Sequence, residues 1–278
     1  MWLKENILPF SVFLMTASVL VVIRTSTHPS LDRNWEPNQK ILASVDISGD
    51  DVSMRNIRNT QYHSATSYEP VYFDRSYRLS DLEKACLVSE DLGAGQAHLM
   101  VTFKFRGQGW VVFSPEPRLE KGETFSALAG FFRRYELATV VATESDAIYL
   151  RTNVLNHPVS LFELKLDDAR MRELFLKMAS RESALAHDPE FYHTLFNNVS
   201  EEIMDAFRTV ARRSVIGPLL LPSHAARRAY DMRILRSDVS VEMLLAQGAI
   251  TDDARAVAPD ADFSEKIHKA VEEIQEGL

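Results

Sequence analysis

The chain reads as an α+β protein, and three observations predict it. Runs rich in β-branched and aromatic residues fill its first part, helical periodicity gathers after them, and a charge-free apolar stretch precedes both. That stretch, ILPFSVFLMTASVLVVI at residues 7–23, is bounded by Lys4, Glu5 and Arg24. As a helix it would reach roughly 25 Å, enough to cross a thin bilayer with help from flanking residues. It is expected to be an uncleaved membrane anchor. The alternatives are a buried helix and a cleaved signal peptide, although no clear small-x-small cleavage site follows. RTSTHPSLDRNWEPNQK, residues 24–40, has two prolines and no periodicity and reads as a linker.

Strands are expected at 52–62, 69–79, 98–105, 109–116 and 159–166 from partial alternation and β-prone composition. ELATVVA (136–142) and AIYLR (147–151) flank the acidic TESD and read as a hairpin. Helices are expected at 123–135 and at 167–185, where Met171, Leu174, Phe175 and Met178 share a face. Another runs from 199 to about 213, with Val199, Ile203, Phe207 and Val210 on one side, and two more at 225–237 and 263–278 close the chain. Residues 91–98 and 251–262 read as loops. The expected division is an anchor and linker start at 1–30, a main domain at 31–240 and a C-terminal loop and helix at 241–278.

Composition is globular, with 46% hydrophobic and 25% charged residues, which excludes disorder. A net charge of −8 with scattered basic residues argues against nucleic acid as a partner. Cys86 is the one cysteine, so neither a disulfide framework nor a Cys-rich metal site can be built within the chain. No G-x-S-x-G, HExxH, phosphate loop or dinucleotide glycine motif occurs, and no cofactor or metal is expected.

Five places carry residues capable of chemistry. FYHTLFNNVSEEIM, 191–204, passes from an aromatic run through Asn197 and Asn198 into a helix with acids in its first turn. Unpaired N–H groups and the helix dipole would stabilise a thiolate there, yet the residue in place is Val199. His98 opens an apolar strand and is either a capped or surface residue or a base. Glu116 and Arg118 lie in SPEPR, on one face by period-two spacing; the alternative is a turn carrying a surface carboxylate. Arg55 and Arg58 in RNIRN either sit on a solvated face or pair with buried carboxylates. Cys86 reads as a small core residue.

In order, RNW, DVSMRNIRNTQY, YRLSDLEKACLV, AHLMVTFKF, the block from Gly109 to Arg151, FYHTLFNNVS and GPLLLPSHAARRAYDMRIL resemble the Lnb N-terminal periplasmic domain family. The resemblance spans about residues 33–237. It implies a papain-like, NlpC-type α+β fold facing the periplasm of a Gram-negative bacterium. It also implies acyl transfer from a phospholipid to the amino group of a lipoprotein's lipidated cysteine, through a Cys nucleophile and a His base. On the family's motifs, His98 matches the His, Glu116 the Glu with Arg118 beside it, and Val199 the nucleophile.

Valine forms no thioester, and removing such a nucleophile abolishes most of the rate enhancement. Ser200 is the nearest substitute, turned about 100° from Val199 along the helix. Three readings follow. One is a pseudoenzyme, anchored once in the inner membrane through residues 7–23 with its soluble domain in the periplasm. It would bind a lipidated peptide or phospholipid near His98, Glu116, Arg118, Asn198 and Arg58. The others are an acyltransferase or hydrolase with a substituted nucleophile, and a structural envelope protein.

Overall fold

The computed structural model describes residues 28–194, 197–214, 222–236 and 238–276. The expected anchor at 7–23 lies outside them, as do Leu195 and Phe196 of the aromatic run. No helix among the described residues is long and apolar enough to cross a membrane. Residues 33–278 form one compact α+β unit around a large mixed sheet.

The strands are β1 (Ser44–Ser48), β2 (Asp51–Arg58), β3 (Gln61–Tyr62), β4 (Tyr68–Glu69), β5 (Tyr72–Arg78) and β6 (Leu82–Gly93). Then come β7 (Gln96–Phe105), β8 (Gly109–Arg118), β9 (Glu136–Ala142), β10 (Val159–Glu163) and β11 (Glu190–Phe191). The main sheet runs β1-β2-β9-β8-β7-β6-β10, with β5 added to β2 and β11 to β9. Its pairings are antiparallel except where Arg58, the last residue of β2, meets Ala142 of β9. β6, β7 and β8 are joined by tight turns and form the centre, with Val101 opposite Phe113 and Thr102 opposite Val112.

The helices are α1 (Ala127–Phe131), α2 (Glu144–Tyr149), α3 (Asp168–His187), α4 (Val199–Val210), α5 (Ala225–Asp231), α6 (Val241–Gln247), α7 (Thr251–Arg255) and α8 (Phe263–Glu276). α3 starts where Asp167 accepts from the Arg170 N–H, and its predicted apolar face is buried against the sheet. α3 and α4 cover one face, packing on Leu99, Val101 and Phe103 of β7 and on Val111 and Phe113 of β8. Phe175 of α3 meets Phe103, Phe105 and Phe113 edge-on at 5.3, 5.4 and 5.8 Å. Each such pair contributes about 0.5–1.5 kcal/mol beyond its buried area. α2, α7 and α8 cover the opposite face, against Met100, Trp110 and Val112. Cys86 lies in this second core, and burial pushes its thiol well above the ordinary value, aided by the charge of Glu144.

Four local expectations are corrected. Residues 147–151 are helical: α2 begins at Thr143, whose side chain accepts from the Asp146 N–H, and it continues as a π turn over Leu150–Val154. The glycine stretch at 91–98 is a hairpin tip, with Ala94 and Gly95 at φ 52° and 79° between the ends of β6 and β7. The expected helix at 123–135 is confined to α1, and the expected loop at 251–262 begins with α7.

Glu182 is buried on α3, and desolvation raises its pKa from 4.5 to about 8, with Asp46 nearby adding to the shift and the Ser183 hydroxyl opposing it. The folded chain therefore holds a proton that the unfolded chain releases above 4.5. This contribution to stability is full below 4.5 and is lost as pH rises through 8. Denaturant titrations from pH 5 to 9 should show a loss of a few kcal/mol, at about 1.4 kcal/mol per pKa unit, that is largely absent in Glu182→Gln. Equal pH slopes in the two proteins would contradict this assignment.

Candidate functional site

Strand alternation sends odd-numbered residues of β7 and β8 towards α3 and α4 and even-numbered ones to the opposite face. His98, Ser114, Glu116 and Arg118 are therefore on one side, and the structure joins the first three. His98 Nε2 lies 2.9 Å from Ser114 Oγ, and that hydroxyl donates to Glu116 Oε1 at 3.0 Å. With the serine proton committed to Glu116, a neutral imidazole donates from Nε2 to Oγ.

The centre of this cluster is Arg151, from the π turn after α2. Its Nη2 donates to Glu116 Oε1 at 3.0 Å, its Nε to Glu90 Oε2 at 3.0 Å, and its Nη1 to the Ala147 carbonyl at 2.7 Å. His157 Nδ1 lies 2.6 Å from the other Glu90 oxygen, and Gln39 donates to Glu116 Oε2 at 2.9 Å. Glu116 is thus neither in a turn nor at the surface: it is a buried strand residue with every oxygen engaged.

Electrostatics follow from this packing. For Glu116, burial raises the pKa, but Arg151, Arg58 and His98 outweigh it and hold the carboxyl at about 2. Burial lowers His98 to about 4, and the charge of Arg151 adds to that effect, so the ring is neutral at pH 7. His98 is 9% exposed. A base of this strength and access is poorly matched to proton transfer near neutral pH.

Arg58 lies within the same layer, its Nε and Nη2 gripping Asp146 of α2 at 2.9 and 2.8 Å. Of the two arginines in RNIRN, Arg55 is solvated and pairs with Asp46, whereas Arg58 pairs with a buried carboxylate. Arg118 donates to the carbonyls of Gln39 and Lys40 at 3.0 and 2.8 Å and covers the Trp35 ring at 4.2 Å. It anchors the segment leading into β1.

Val199 is on the other side of the sheet. It is 7% exposed and packs in the same core as Leu99, Ile203 and Phe207. Asn198 caps the helix: its Oδ1 accepts from the N–H groups of Ser200 and Glu201 at 3.0 and 3.1 Å. Ser200 is buried as well. The structure therefore unites His98, Glu116 and the unforeseen Ser114, Glu90 and Arg151, but it does not bring Val199 or Ser200 to them. Outside the start of α4 a cleft of about 420 Å³ is lined by Pro115, Thr139, Met178 and Arg181 among others. Arg181 is already held there by Glu190 and Glu202.

Fold and site together define an α+β domain with a sequestered polar network between sheet and helix. The chain belongs to the Lnb N-terminal periplasmic domain family, whose model matches residues 68–230, more than half of its length. This membership supports a periplasmic location. No curated protein matches the chain, and no solved structure does.

Arg151 was hidden because AIYLR resembles a strand, yet T-x-x-D at 143–146 is a capping signal that would have turned it into a helix. Removing Arg151 leaves two buried carboxylates without their cation. Arg151→Ala should cost about 3–5 kcal/mol in denaturant unfolding near pH 7. Glu116 contributes stability above 4.5 that is lost as pH falls towards 2, so the variant should also unfold at a higher pH on acidification. A cost below about 1 kcal/mol would mean the network is not structural.

Proposed function

We propose that the chain is a catalytically silent member of its family: a papain-like periplasmic domain, held at the inner membrane by residues 7–23, that binds the acyl part of a lipidated peptide without transferring it. The observation that carries this reading is the separation of Val199 from His98 by the sheet. Acyl transfer through a thioester needs nucleophile and base within hydrogen-bond reach. Here one position faces the α3–α4 core and the other faces Ser114. The seating of α4 on β7 and β8 supports the papain-like relation.

The ligand surface in this reading is the segment around α1. Leu128 and Phe132 are 69% and 57% exposed, and Phe125 and Phe131 are exposed beside them. Single exposed apolar residues are ordinary, but a contiguous group of four is a contact surface. It adjoins the entry to α4, where Thr194 donates to the Ala127 carbonyl at 2.7 Å and the Phe131 and His193 rings are 5.2 Å apart. An acyl chain gains about 0.8 kcal/mol per buried methylene on such a surface.

Val199→Cys tests the first claim, since Cys86 is buried and supplies little background. Iodoacetamide should label the introduced thiol no faster than a free thiol near neutral pH; much faster labelling would reveal an activating site and overturn silence. For the second claim, a diacylated lipopeptide should bind the full-length chain in detergent. Phe131→Ser with Phe132→Ser should weaken binding about tenfold or more, the equivalent of about 1.4 kcal/mol. His98→Ala, on the other face, should change it little.

A further inference from the structure

On this acidic chain five basic side chains converge at one place. A cavity of about 790 Å³ is lined by Lys165, Arg212, Arg213, Arg233, Arg236 and Asp238 over Leu235. Five cations there face one acid, although the whole chain carries −8. Local carboxylates neutralise part of the set. Asp238 is taken by Arg236 at 2.8 Å and Glu163 by Lys165 at 2.7 Å, while Asp167 is bound to Arg170 at 2.9 Å and reaches Arg212 only at 4.0 Å. Arg213 and Arg233 have no carboxylate within ion-pair distance among the described residues.

The backbone that carries them is tied together. The N–H groups of Arg212 and Arg213 both donate to the Met232 carbonyl, at 3.2 and 3.3 Å, and the Lys165 N–H donates to Ile234 at 2.7 Å. Arg212 and Arg213 follow the C-terminus of α4, where the dipole favours cations. That does not account for Arg236 or Lys165. Arg233 has φ 57° and closes α5 with Ile234 N–H on Ala229 and its own N–H on Tyr230, at 3.2 and 2.9 Å. Glycine is the preferred residue at that left-handed position. An arginine there gives up backbone ease and places a fifth positive charge on the cavity.

We propose that this cavity binds a phosphate group. Planar guanidinium forks match phosphate oxygens two at a time, and several converging on one cavity suit a group with three or four oxygens better than a lone carboxylate. The cavity volume suits a small phosphorylated molecule or a lipid headgroup. The site lies apart from the α1 patch and stands or falls independently of the acyl-binding reading.

Calorimetric titration of the full-length chain in neutral detergent tests it with two probes, pyrophosphate and glycerophosphoglycerol, the deacylated head of an anionic phospholipid. At least one should bind, with affinity falling steeply between about 50 and about 200 mM salt. Pyrophosphate alone would identify a free phosphate as the source; binding of the headgroup would identify a lipid. Arg213→Gln with Arg233→Gln should weaken binding at least tenfold without lowering the melting temperature, and Arg213→Lys with Arg233→Lys should retain part of it. No heat with either probe overturns the proposal, as does binding indifferent to the glutamine substitutions.

Discussion

Burial on both sides of β7 and β8 is the constraint from which the rest of the molecule follows. With helices on each face, nearly every residue of these strands away from their ends enters one of two interiors. Odd positions carry Leu99, Val101, Phe103, Val111 and Phe113 and form an apolar layer under α3 and α4. Even positions carry Met100, Val112 and the single polar Thr102 in the middle, which donates to Glu144, but His98, Ser114, Glu116 and Arg118 towards one end. A polar group in such an interior must find a partner. Arg151 supplies it, and in doing so fixes the turn after α2 against the sheet.

The network illustrates how a buried ion cluster can be accounted for by packing and charge pairing. Taking Glu90, Glu116 and Arg151 out of water costs several kcal/mol per ion, recovered only while all three remain together. Loss of any member strands the others, so the set is retained or replaced as a unit. The two residues that the family resemblance singles out, His98 and Glu116, are held by packing, hydrogen bonds and, for Glu116, the ion pair with Arg151. Their presence says little about turnover: the imidazole is neutral, and its Nε2 is committed to a serine that is itself bound to the carboxylate.

Legibility in the sequence followed the range of the interactions. α3 and α4 could be read from three-four spacing and from Asp167 and Asn198 at their caps, all local features. β6 was missed because Ala85, Cys86, Leu87 and Val88 are buried in succession, which removes the alternation a half-exposed strand would show. His98 and Glu116 were found by motif. Their partners were not, since Arg151 meets Glu90 and Glu116 across 61 and 35 residues of chain and no spacing rule reaches that far. The opposite-face placement was latent: His98 alternates with Leu99, and a helix whose apolar side includes Val199, Ile203 and Phe207 packs on the apolar face.

That geometry changes the meaning of the valine. If Val199 stood beside His98, its presence would be the loss of one sulfur from an otherwise intact site. Instead its neighbours across the interface are the odd-numbered apolar residues, and Asn198 already occupies the N–H groups of Ser200 and Glu201 that would stabilise a thiolate. A thiol at this position would be desolvated without a proton acceptor from the His98 network, and desolvation raises a thiol's pKa, as it does for Cys86. Valine therefore suits this environment: it completes an apolar layer with Leu99, Ile203 and Phe207.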